Sequence, residues 1–256
     1  MAVAAIIPAR YGSTRLPGKP LALIDGKPMI QHVYESASKA RILDRVLVAT
    51  DDQRIVDAVK KFGGEAIMTS SLHASGTDRI AEVARRLKHE WIVNVQGDLP
   101  FIQAATISRA VQPLRRNHAI PMGTVCNAIY DEDEWRNPNI VKVLMDRAGL
   151  ALSFTRSPVP YVRNANVVLT GNDNGKPARR VWGFRHLGLY VYRREFLFKF
   201  ARLRPTALEQ IESLEQLRAM EYGYRIHVAR VDEHSVEVDT AEDLKRAAQY
   251  LNNAAN

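Results

Sequence analysis

The sequence predicts an α/β protein in which helices flank a mostly parallel central sheet, and two observations predict this class. Segments typical of strands and of helices alternate through the first half of the chain. The predicted strands there are nearly continuous apolar runs, as in sheets that are covered on both faces. Ligands of such sheets bind beside the carboxyl ends of strands, so polar residues that directly follow strands are the first candidates for a functional site.

Each predicted element rests on its apolar pattern and on the residues that flank it. Strands are predicted at residues 2–7, 45–49, 65–68, 91–96, 122–129, 141–145, 150–154, 186–192 and 225–231. Helices are predicted at residues 29–40, from a cap at Asp51 or Asp52 to Phe62, and at 78–87, 103–116, 195–203, 208–222 and 240–251. Segment 157–181 is predicted to be a surface loop, with a subunit-contact arm or a mobile flap as alternatives. The chain lacks repeats and clear linkers, which predicts one compact domain with a second-half subdomain.

The composition is that of an ordinary globular protein: of 256 residues, 46% are hydrophobic and 25% are charged. Cys126 is the single cysteine, so no internal disulfide forms, and a reducing compartment, the cytoplasm, is expected. The first residues lack the basic segment of a signal peptide, and no apolar run approaches the length of a membrane span. The formal net charge of +8 suits nucleotides, acidic sugars or nucleic acid and does not choose among them.

The loop after the first predicted strand, residues 8–20, concentrates cations, glycines and prolines. Arg10, Arg15 and Lys19 are spaced so that one compact loop can direct all three at a polyphosphate. Five residues separate Gly12 from Gly18, one more than a P-loop has, and no dinucleotide fingerprint follows the strand. The loop therefore predicts a nucleoside triphosphate site of another kind, with a charged surface loop as the alternative.

This loop resembles the N-terminal signature of the 3-deoxy-manno-octulosonate cytidylyltransferases, also called CMP-3-deoxy-D-manno-octulosonate synthetases. The resemblance implies a Rossmann-like nucleotidyltransferase fold in one domain, residues 1–256. Its nucleotide-binding half would be about 1–130, its sugar-acid-binding and dimerisation part about 131–225, and its closing strand and helix 226–256. Further stretches resemble the same family in the same order, from residue 6 to residue 244.

The stretch His73-Ala74-Ser75-Gly76-Thr77-Asp78-Arg79 resembles the nucleotide loop of that family. The resemblance implies that Ser75, Gly76 and Arg79 contact the cytosine and ribose end of CTP. From the residues alone, Ser-Gly-Thr before a helix offers backbone donors and a favourable dipole to a ligand. The alternative is an ordinary helix N-cap.

Two stretches that end in carboxylates resemble the metal site of the family. Asp98 follows a buried strand in Gln96-Gly97-Asp98, and Asp239 precedes a helix that Thr240 and Asp243 are predicted to cap. The resemblance implies that Asp98 and Asp239 bind Mg²⁺, a cation that prefers oxygen ligands, and that Gln96 contacts nucleotide and substrate. The alternative for Asp239 is that it only complements the helix dipole.

Four stretches of the second half resemble the sugar-acid site of the same family: residues 154–157, 185–190, 208–209 and 215–218. Arg156 can fork to a carboxylate and His186 can add a hydrogen bond. By resemblance, the residues that bind the sugar are Gln96, Arg156, His186, Glu209, Glu215 and Gln216. For Glu215 and Gln216 the alternative is a helix with a solvated face and a core stripe. The chain departs from the family pattern at Leu99, where a polar residue is usual, and at Ala207, where proline is usual.

The implied reaction is transfer of CMP from CTP to the anomeric hydroxyl of 3-deoxy-D-manno-octulosonate, with release of pyrophosphate, for lipopolysaccharide biosynthesis. Asp98, Asp239, Lys19 and Arg10 are the expected catalytic residues, Mg²⁺ the cofactor and a homodimer the assembly. Alternatives are the same reaction on the 8-amino-8-deoxy analogue or a sialic acid, and a basic nucleic-acid-binding module. Rare tryptophan and the absence of a recognised motif oppose the last.

Overall fold

The computed structural model describes residues 2–12, 16–164, 180–232 and 236–254. Arg15, predicted to contact the triphosphate, lies outside the described residues. The same holds for residues 165–179, which make up most of the segment predicted as a surface loop.

The helices and strands alternate along most of the chain. The strands are β1 (Val3–Ala9), β2 (Leu23–Ile24), β3 (Lys27–Pro28), β4 (Arg45–Thr50), β5 (Ala66–Met68), β6 (Trp91–Val95), β7 (Met122–Ile129), β8 (Lys142–Met145), β9 (Ala151–Thr155), β10 (Gly183–Arg193) and β11 (Ile226–Arg230). The helices are α1 (Met29–Ser38), α2 (Gln53–Lys61), α3 (Gly76–Ala84), α4 (Ala104–Arg116), α5 (Glu132–Arg136), α6 (Arg194–Phe200), α7 (Ala207–Glu212), α8 (Gln216–Glu221) and α9 (Ala241–Ala254).

The chain forms two compact units, and the first comprises Met1–Ser108, Gly188–Ala201 and His234–Asn256. Its sheet has the order β10-β6-β1-β4-β5, in which β1 is parallel to β4 and β6, β4 is parallel to β5, and β10 is antiparallel to β6. The strand β1 is apolar and almost wholly buried, because β4 and β6 pair with its two edges and helices α1 and α3 pack against it. The predicted class, a mostly parallel sheet with helices, is confirmed.

The second unit comprises Arg109–Leu187 and Arg202–Glu233. In its sheet β11 is parallel to β7, and β8 is antiparallel to both β9 and β10. The β8–β9 hairpin turns at Gly149, whose φ of +76° suits glycine. The predicted subdomain boundaries, about 130 and 225, stay predictions.

One predicted helix is wrong. Residues 208–222 form two short helices, α7 and α8, because Ser213 between them has a φ of +52° in the left-handed region. A left-handed residue cannot continue a right-handed helix, and the N–H of Leu214 instead bonds the carbonyl of Glu209. The apolar spacing continues across this break, so the pattern alone predicts one helix.

Apart from that break, most predicted elements are found within a few residues of their expected bounds, and β7 is found at the predicted residues. Cys126 lies in β7 and is fully buried, as expected of a core residue. Within the described ranges, every helix is too short or too polar to cross a lipid bilayer.

Candidate active site

Asp98 and Asp239 converge on one cation in the first unit. The ammonium Nζ of Lys19 lies 3.3 Å from Asp98 Oδ2 and 3.0 Å from Asp239 Oδ1. About a third of each carboxylate side chain is exposed, whereas Lys19 is 13% exposed. The two carboxylates that the sequence nominates as metal ligands therefore share a single positive charge at the surface of the unit.

Backbone hydrogen bonds set the positions of both carboxylates. Asp98 stands just beyond the carboxyl end of β6, and its backbone carbonyl accepts the N–H of Val238 at 3.0 Å. Asp239 precedes α9, where Thr240 Oγ1 accepts the N–H of Asp243, and Asp243 Oδ2 accepts the N–H of Thr240 and of Asp239. The predicted capping pair is confirmed, and it fixes the backbone that carries Asp239.

The loop that carries Lys19 is shaped around Tyr11. Gly18 has a φ of +69°, donates its N–H to the carbonyl of Tyr11 at 3.0 Å, and lies against the Tyr11 ring. The guanidinium carbon of Arg54 lies 3.3 Å from the centroid of that ring. A Cβ at position 18 would lie 3.3 Å from the Tyr11 ring, which is a tight contact, and the positive φ favours glycine independently.

Arg10 links the first loop to the stretch that precedes α3. Its Nη2 donates to the backbone carbonyl of His73 at 2.7 Å. Ser75 caps α3: its Oγ accepts the N–H of Asp78 at 3.1 Å, and the Asp78 carboxylate accepts the N–H of Ser75 at 3.1 Å. The capping box uses the Ser75 hydroxyl, and Gly76 opens the helix; their contact with a nucleotide stays a prediction.

Arg79 is fully buried. Its Nη1 donates to Thr69 Oγ1, and its Nη2 donates to Asp51 Oδ2 at 2.7 Å. Asp51 follows β4, so this ion pair ties α3 to the carboxyl end of a neighbouring strand. The structure gives Arg79 a supporting role under the loop, and its predicted direct contact with the nucleotide stays a prediction.

Gln96 and Leu99 flank Asp98 on the same loop. A methyl group at Gly188 would lie 3.2 Å from the Gln96 side chain, so the glycine leaves room for that amide. Leu99 is 1% exposed and belongs to the core. The apolar residue that departs from the family pattern is therefore buried, which explains why leucine is accepted at this position.

In the second unit, Arg156 follows β9 and is anchored on two backbone carbonyls. Its Nε donates to the carbonyl of Glu212 at 2.7 Å, and its Nη1 donates to the carbonyl of Pro138 at 3.0 Å. His186 lies in β10, buried, with Nε2 2.9 Å from Thr124 Oγ1. Burial lowers the pKa of His186 to about 3, so the imidazole is neutral at neutral pH.

The remaining predicted sugar contacts lie on α7 and α8. The Glu209 carboxylate accepts two hydrogen bonds from the Arg218 guanidinium, from Nε at 2.7 Å and from Nη2 at 2.5 Å. It also accepts the N–H of Thr206 and so caps α7. Gln216 is 3% exposed and begins α8, preceded by Glu215, whose side chain is 32% exposed. Glu209 forms structural contacts, and Glu215 is partly exposed and lies 4.0 Å from the Arg218 guanidinium. Sugar binding by all three stays a prediction.

The predicted residues fall into two groups. The first unit contains Arg10, Lys19, Ser75, Gly76, Arg79, Gln96, Asp98 and Asp239, and the second contains Arg156, His186, Glu209, Glu215 and Gln216. Sequence reasoning missed two polar residues of the second unit, Lys142 and Glu212, which contact the segment around Arg156. For Lys142, the available signal in the sequence is a lysine at the start of an apolar strand.

The donor set suits a hard divalent cation. The Lys19 ammonium already marks a position within about hydrogen-bond distance of one oxygen from each carboxylate. Mg²⁺ is typically bound by one or two carboxylates and completes its shell with water and substrate phosphate oxygens. Groups of three or more His, Cys, Asp or Glu that could hold a metal ion are absent from the described ranges.

Comparison with known proteins identifies the family of this chain. A family model described as cytidylyltransferase matches residues 4–226. The 3-deoxy-manno-octulosonate cytidylyltransferase of Syntrophotalea carbinolica is 52% identical over 98% of this chain and 99% of its own length. That of Geobacter sulfurreducens is 51% identical over 98% of this chain and 100% of its own length.

A solved structure of CMP:2-keto-3-deoxy-manno-octonic acid synthetase complexed with CTP has the same fold. It is 42% identical to this chain, covers 99% of this chain and 100% of its own, and superposes with a TM-score of 0.89. Similarity of sequence and fold over nearly the whole of both chains leaves one assignment. The chain belongs to the cytidylyltransferase family, within its 3-deoxy-manno-octulosonate cytidylyltransferase members.

Proposed function

We propose that this protein transfers CMP from CTP to the anomeric hydroxyl of 3-deoxy-D-manno-octulosonate and releases pyrophosphate. The single observation that carries the proposal is the convergence of Asp98 and Asp239 on the Lys19 ammonium. Family membership supplies the substrate class, since the similar proteins carry this activity in their names. The product is an activated sugar acid of the kind used in lipopolysaccharide biosynthesis.

Asp98 and Asp239 would hold Mg²⁺, which supplies charge neutralisation at the α-phosphate when bound. The sugar hydroxyl oxygen attacks the α-phosphorus, the bond from that phosphorus to the bridging oxygen breaks, pyrophosphate leaves, and the hydroxyl proton passes to solvent. Phosphoryl-type transfer depends mainly on positioning and on stabilisation of negative charge. Lys19, Arg10 and Arg15 would stabilise the departing pyrophosphate as cationic donors.

Nucleotide binding would use Ser75, Gly76, Arg79 and Gln96. The structure supports a preformed loop here because the capping box of Ser75 and the Arg79–Asp51 ion pair already order it. Arg10 supports the same loop from the other side through the carbonyl of His73. A preformed loop lowers the entropic cost of binding the nucleotide.

Sugar-acid binding would use Arg156 as the partner of the substrate carboxylate, with His186, Glu215, Gln216 and Glu209 around the hydroxyls. The neutral His186 imidazole adds a hydrogen bond without adding charge. The Arg156 guanidinium donates to the backbone carbonyls of Glu212 and Pro138, and the substrate carboxylate would be a further, charged partner for it.

We also propose a homodimer in the cytoplasm. Exposed apolar side chains of the second unit support self-association: Leu152 is 61%, Leu208 50% and Ile211 79% exposed, and the last two are one turn apart on α7. Ile211→Asp should convert a dimer to a monomer in sedimentation velocity, and an unchanged sedimentation coefficient would place the interface elsewhere.

Pyrophosphate release tests the activity. The protein is given CTP and MgCl₂ with 3-deoxy-D-manno-octulosonate, its 8-amino-8-deoxy analogue, N-acetylneuraminate or no sugar. Release with 3-deoxy-D-manno-octulosonate above the other acceptors is the expected result. Preference for the 8-amino analogue or for N-acetylneuraminate would change the acceptor and keep the reaction. No pyrophosphate release with any acceptor, together with salt-sensitive binding to random duplex DNA, would overturn the proposal.

A further inference from the structure

Lys142 is a buried cation that the proposed reaction leaves without a role. It begins β8 and is 0% exposed. Its ammonium donates to three backbone carbonyls, those of Asn137 at 2.9 Å, Ile140 at 2.6 Å and Arg156 at 2.6 Å. An ammonium has three N–H donors, so each of them has one acceptor. Burial, together with the nearby Arg156, lowers the pKa of Lys142.

This arrangement is costly, which argues that it serves a purpose beyond packing. Taking an ammonium out of water carries a penalty that neutral carbonyls offset only in part, and apolar residues at such positions are often as stable or more stable. A buried ammonium that donates to three carbonyls does fix the positions of those carbonyls precisely, because charge-assisted hydrogen bonds are short and strongly directional.

The position of Lys142 in the sheet shows which two segments of the chain its strand holds together. In the antiparallel ladders, Lys142 pairs with Thr155 of β9 on one side and with Arg185 of β10 on the other. The next residue after each partner is a proposed sugar-acid residue, Arg156 and His186. The backbone N–H of His186 also donates to the carbonyl of Val141 at 2.9 Å. Strand β8 therefore joins the two segments that carry those residues.

Glu212 completes the arrangement from α7. Its Oε1 accepts the hydroxyl of Thr155 at 2.6 Å, and its Oε2 accepts the backbone N–H of Arg156 at 2.9 Å. The hydrogen bond from the Thr155 hydroxyl, with the backbone N–H of Arg156 and the charges of Arg156 and Lys142, holds the pKa of Glu212 below its ordinary value, so the carboxylate is charged at neutral pH. The backbone N–H and the backbone carbonyl of Arg156 are thus both bound by buried or half-buried charged groups.

The side chain of Arg156 is consequently only partly used by the protein. Nε and Nη1 donate to the carbonyls of Glu212 and Pro138, and among the described residues no acceptor lies within hydrogen-bond distance of Nη2. Both of those carbonyls belong to segments that Lys142 or Glu212 organises, because Pro138 follows Asn137. The Nη2 donors remain available to a carboxylate.

We propose that Lys142 and Glu212 are positioning residues that fix the backbone and the guanidinium of Arg156 for the carboxylate of the sugar acid. This inference rests on the proposed role of Arg156. It predicts that loss of either residue acts on the sugar acid and leaves CTP unaffected, because the nucleotide residues belong to the other unit.

The test is a double-mutant cycle with Lys142→Met and Arg156→Ala, and it follows kcat/KM for the sugar acid at saturating CTP and KM for CTP. Lys142→Met should lower kcat/KM for the sugar acid about tenfold or more and change KM for CTP less than about twofold. In the Arg156→Ala background the same substitution should cost less than about twofold further, because it acts through Arg156. Lys60→Met, on the exposed face of α2, is the matched control and should change neither constant.

Glu212→Gln makes the test independent of whether Lys142→Met folds, which circular dichroism reports. One Glu212 oxygen becomes an amide that cannot accept, so the same selective loss for the sugar acid is expected. Equal losses for sugar acid and CTP, or losses that add fully to that of Arg156→Ala, would overturn the inference. If Arg156→Ala itself leaves the sugar-acid constant unchanged, the proposed role of Arg156 fails instead.

Discussion

Val238 donates its backbone N–H to the backbone carbonyl of Asp98 across 3.0 Å. This bond places the next residue, Asp239, near Asp98. Lys19 then bridges them, over 79 residues of sequence to Asp98 and 220 to Asp239. Main-chain hydrogen bonds and a capped helix thus bring two carboxylates from distant segments to one ammonium group.

Asn at either metal-ligand position should abolish turnover. Asp98→Asn and Asp239→Asn each remove a charged oxygen ligand, and we expect kcat to fall about a thousandfold or more with an unchanged circular dichroism spectrum. Pyrophosphate release measures the effect. Asp57→Asn, on the exposed part of α2, is the control and should keep full activity; turnover retained by Asp98→Asn would remove that residue from the mechanism.

Lys19 should oppose the metal before nucleotide binds and assist the nucleotide afterwards. Lys19→Met removes the ammonium between the two carboxylates, so Mn²⁺ without nucleotide should bind about tenfold more tightly by electron paramagnetic resonance. CTP with Mg²⁺ should bind more weakly by calorimetry, since a phosphate cation is lost. Equal or weaker Mn²⁺ binding would show that Lys19 does not compete for this position.

The buried guanidinium of Arg79 should contribute strongly to stability. Arg79→Met leaves Asp51 without its partner, and we expect the free energy of unfolding to fall by about 3 kcal/mol in urea titrations. Arg86 lies just beyond the end of α3 and forms an exposed i,i+4 ion pair with Glu82. Arg86→Met breaks this pair and should lower the free energy of unfolding by less than about 1 kcal/mol. Similar losses for the two variants would mean that Arg79 is solvated in solution.

His186 should make stability depend on pH in a defined window. Its folded pKa of about 3 lies below the ordinary value of 6.5, so the unfolded chain binds a proton that the folded chain excludes. The contribution of His186 to the free energy of unfolding is fully present above pH 6.5. It decreases by about 1.4 kcal/mol per pH unit as the pH falls from 6.5 toward 3.

His186→Gln keeps a polar partner for Thr124 and removes the titration. The variant should therefore lose less stability than the parent between pH 7 and pH 5, by about 2 kcal/mol, in urea titrations at both values. Parallel pH profiles for parent and variant would show that the imidazole is accessible to protons in the folded state.

Sequence reasoning predicted the elements well where local pattern and tertiary structure agree. Strand β7 was predicted at its observed bounds because eight consecutive residues are apolar or small and turn signals flank them. The break at Ser213 was not predictable, because left-handed serine is selected by packing and leaves the apolar spacing of α7 and α8 intact.

The candidate site shows the same division. Asp98 and Asp239 can be nominated as site residues from the sequence, since it shows one carboxylate at the end of a strand and another at the start of a helix. Their convergence on Lys19, and the enclosure of Arg79 by Asp51 and Thr69, depend on three-dimensional packing. The burial of Lys142 could not be predicted, because a lysine at the end of an apolar strand is ordinarily exposed to solvent.

The Val238–Asp98 bond also has a consequence for synthesis on the ribosome. The nascent chain carries Lys19 and Asp98 long before Asp239 is polymerised, so the first unit is complete only after its last segment, which begins at His234, has been made. Translation that stops short of this segment releases a polypeptide with a nucleotide loop and half a cation site. Such a fragment would be catalytically silent, so an interrupted message would not yield a partial enzyme that consumes CTP.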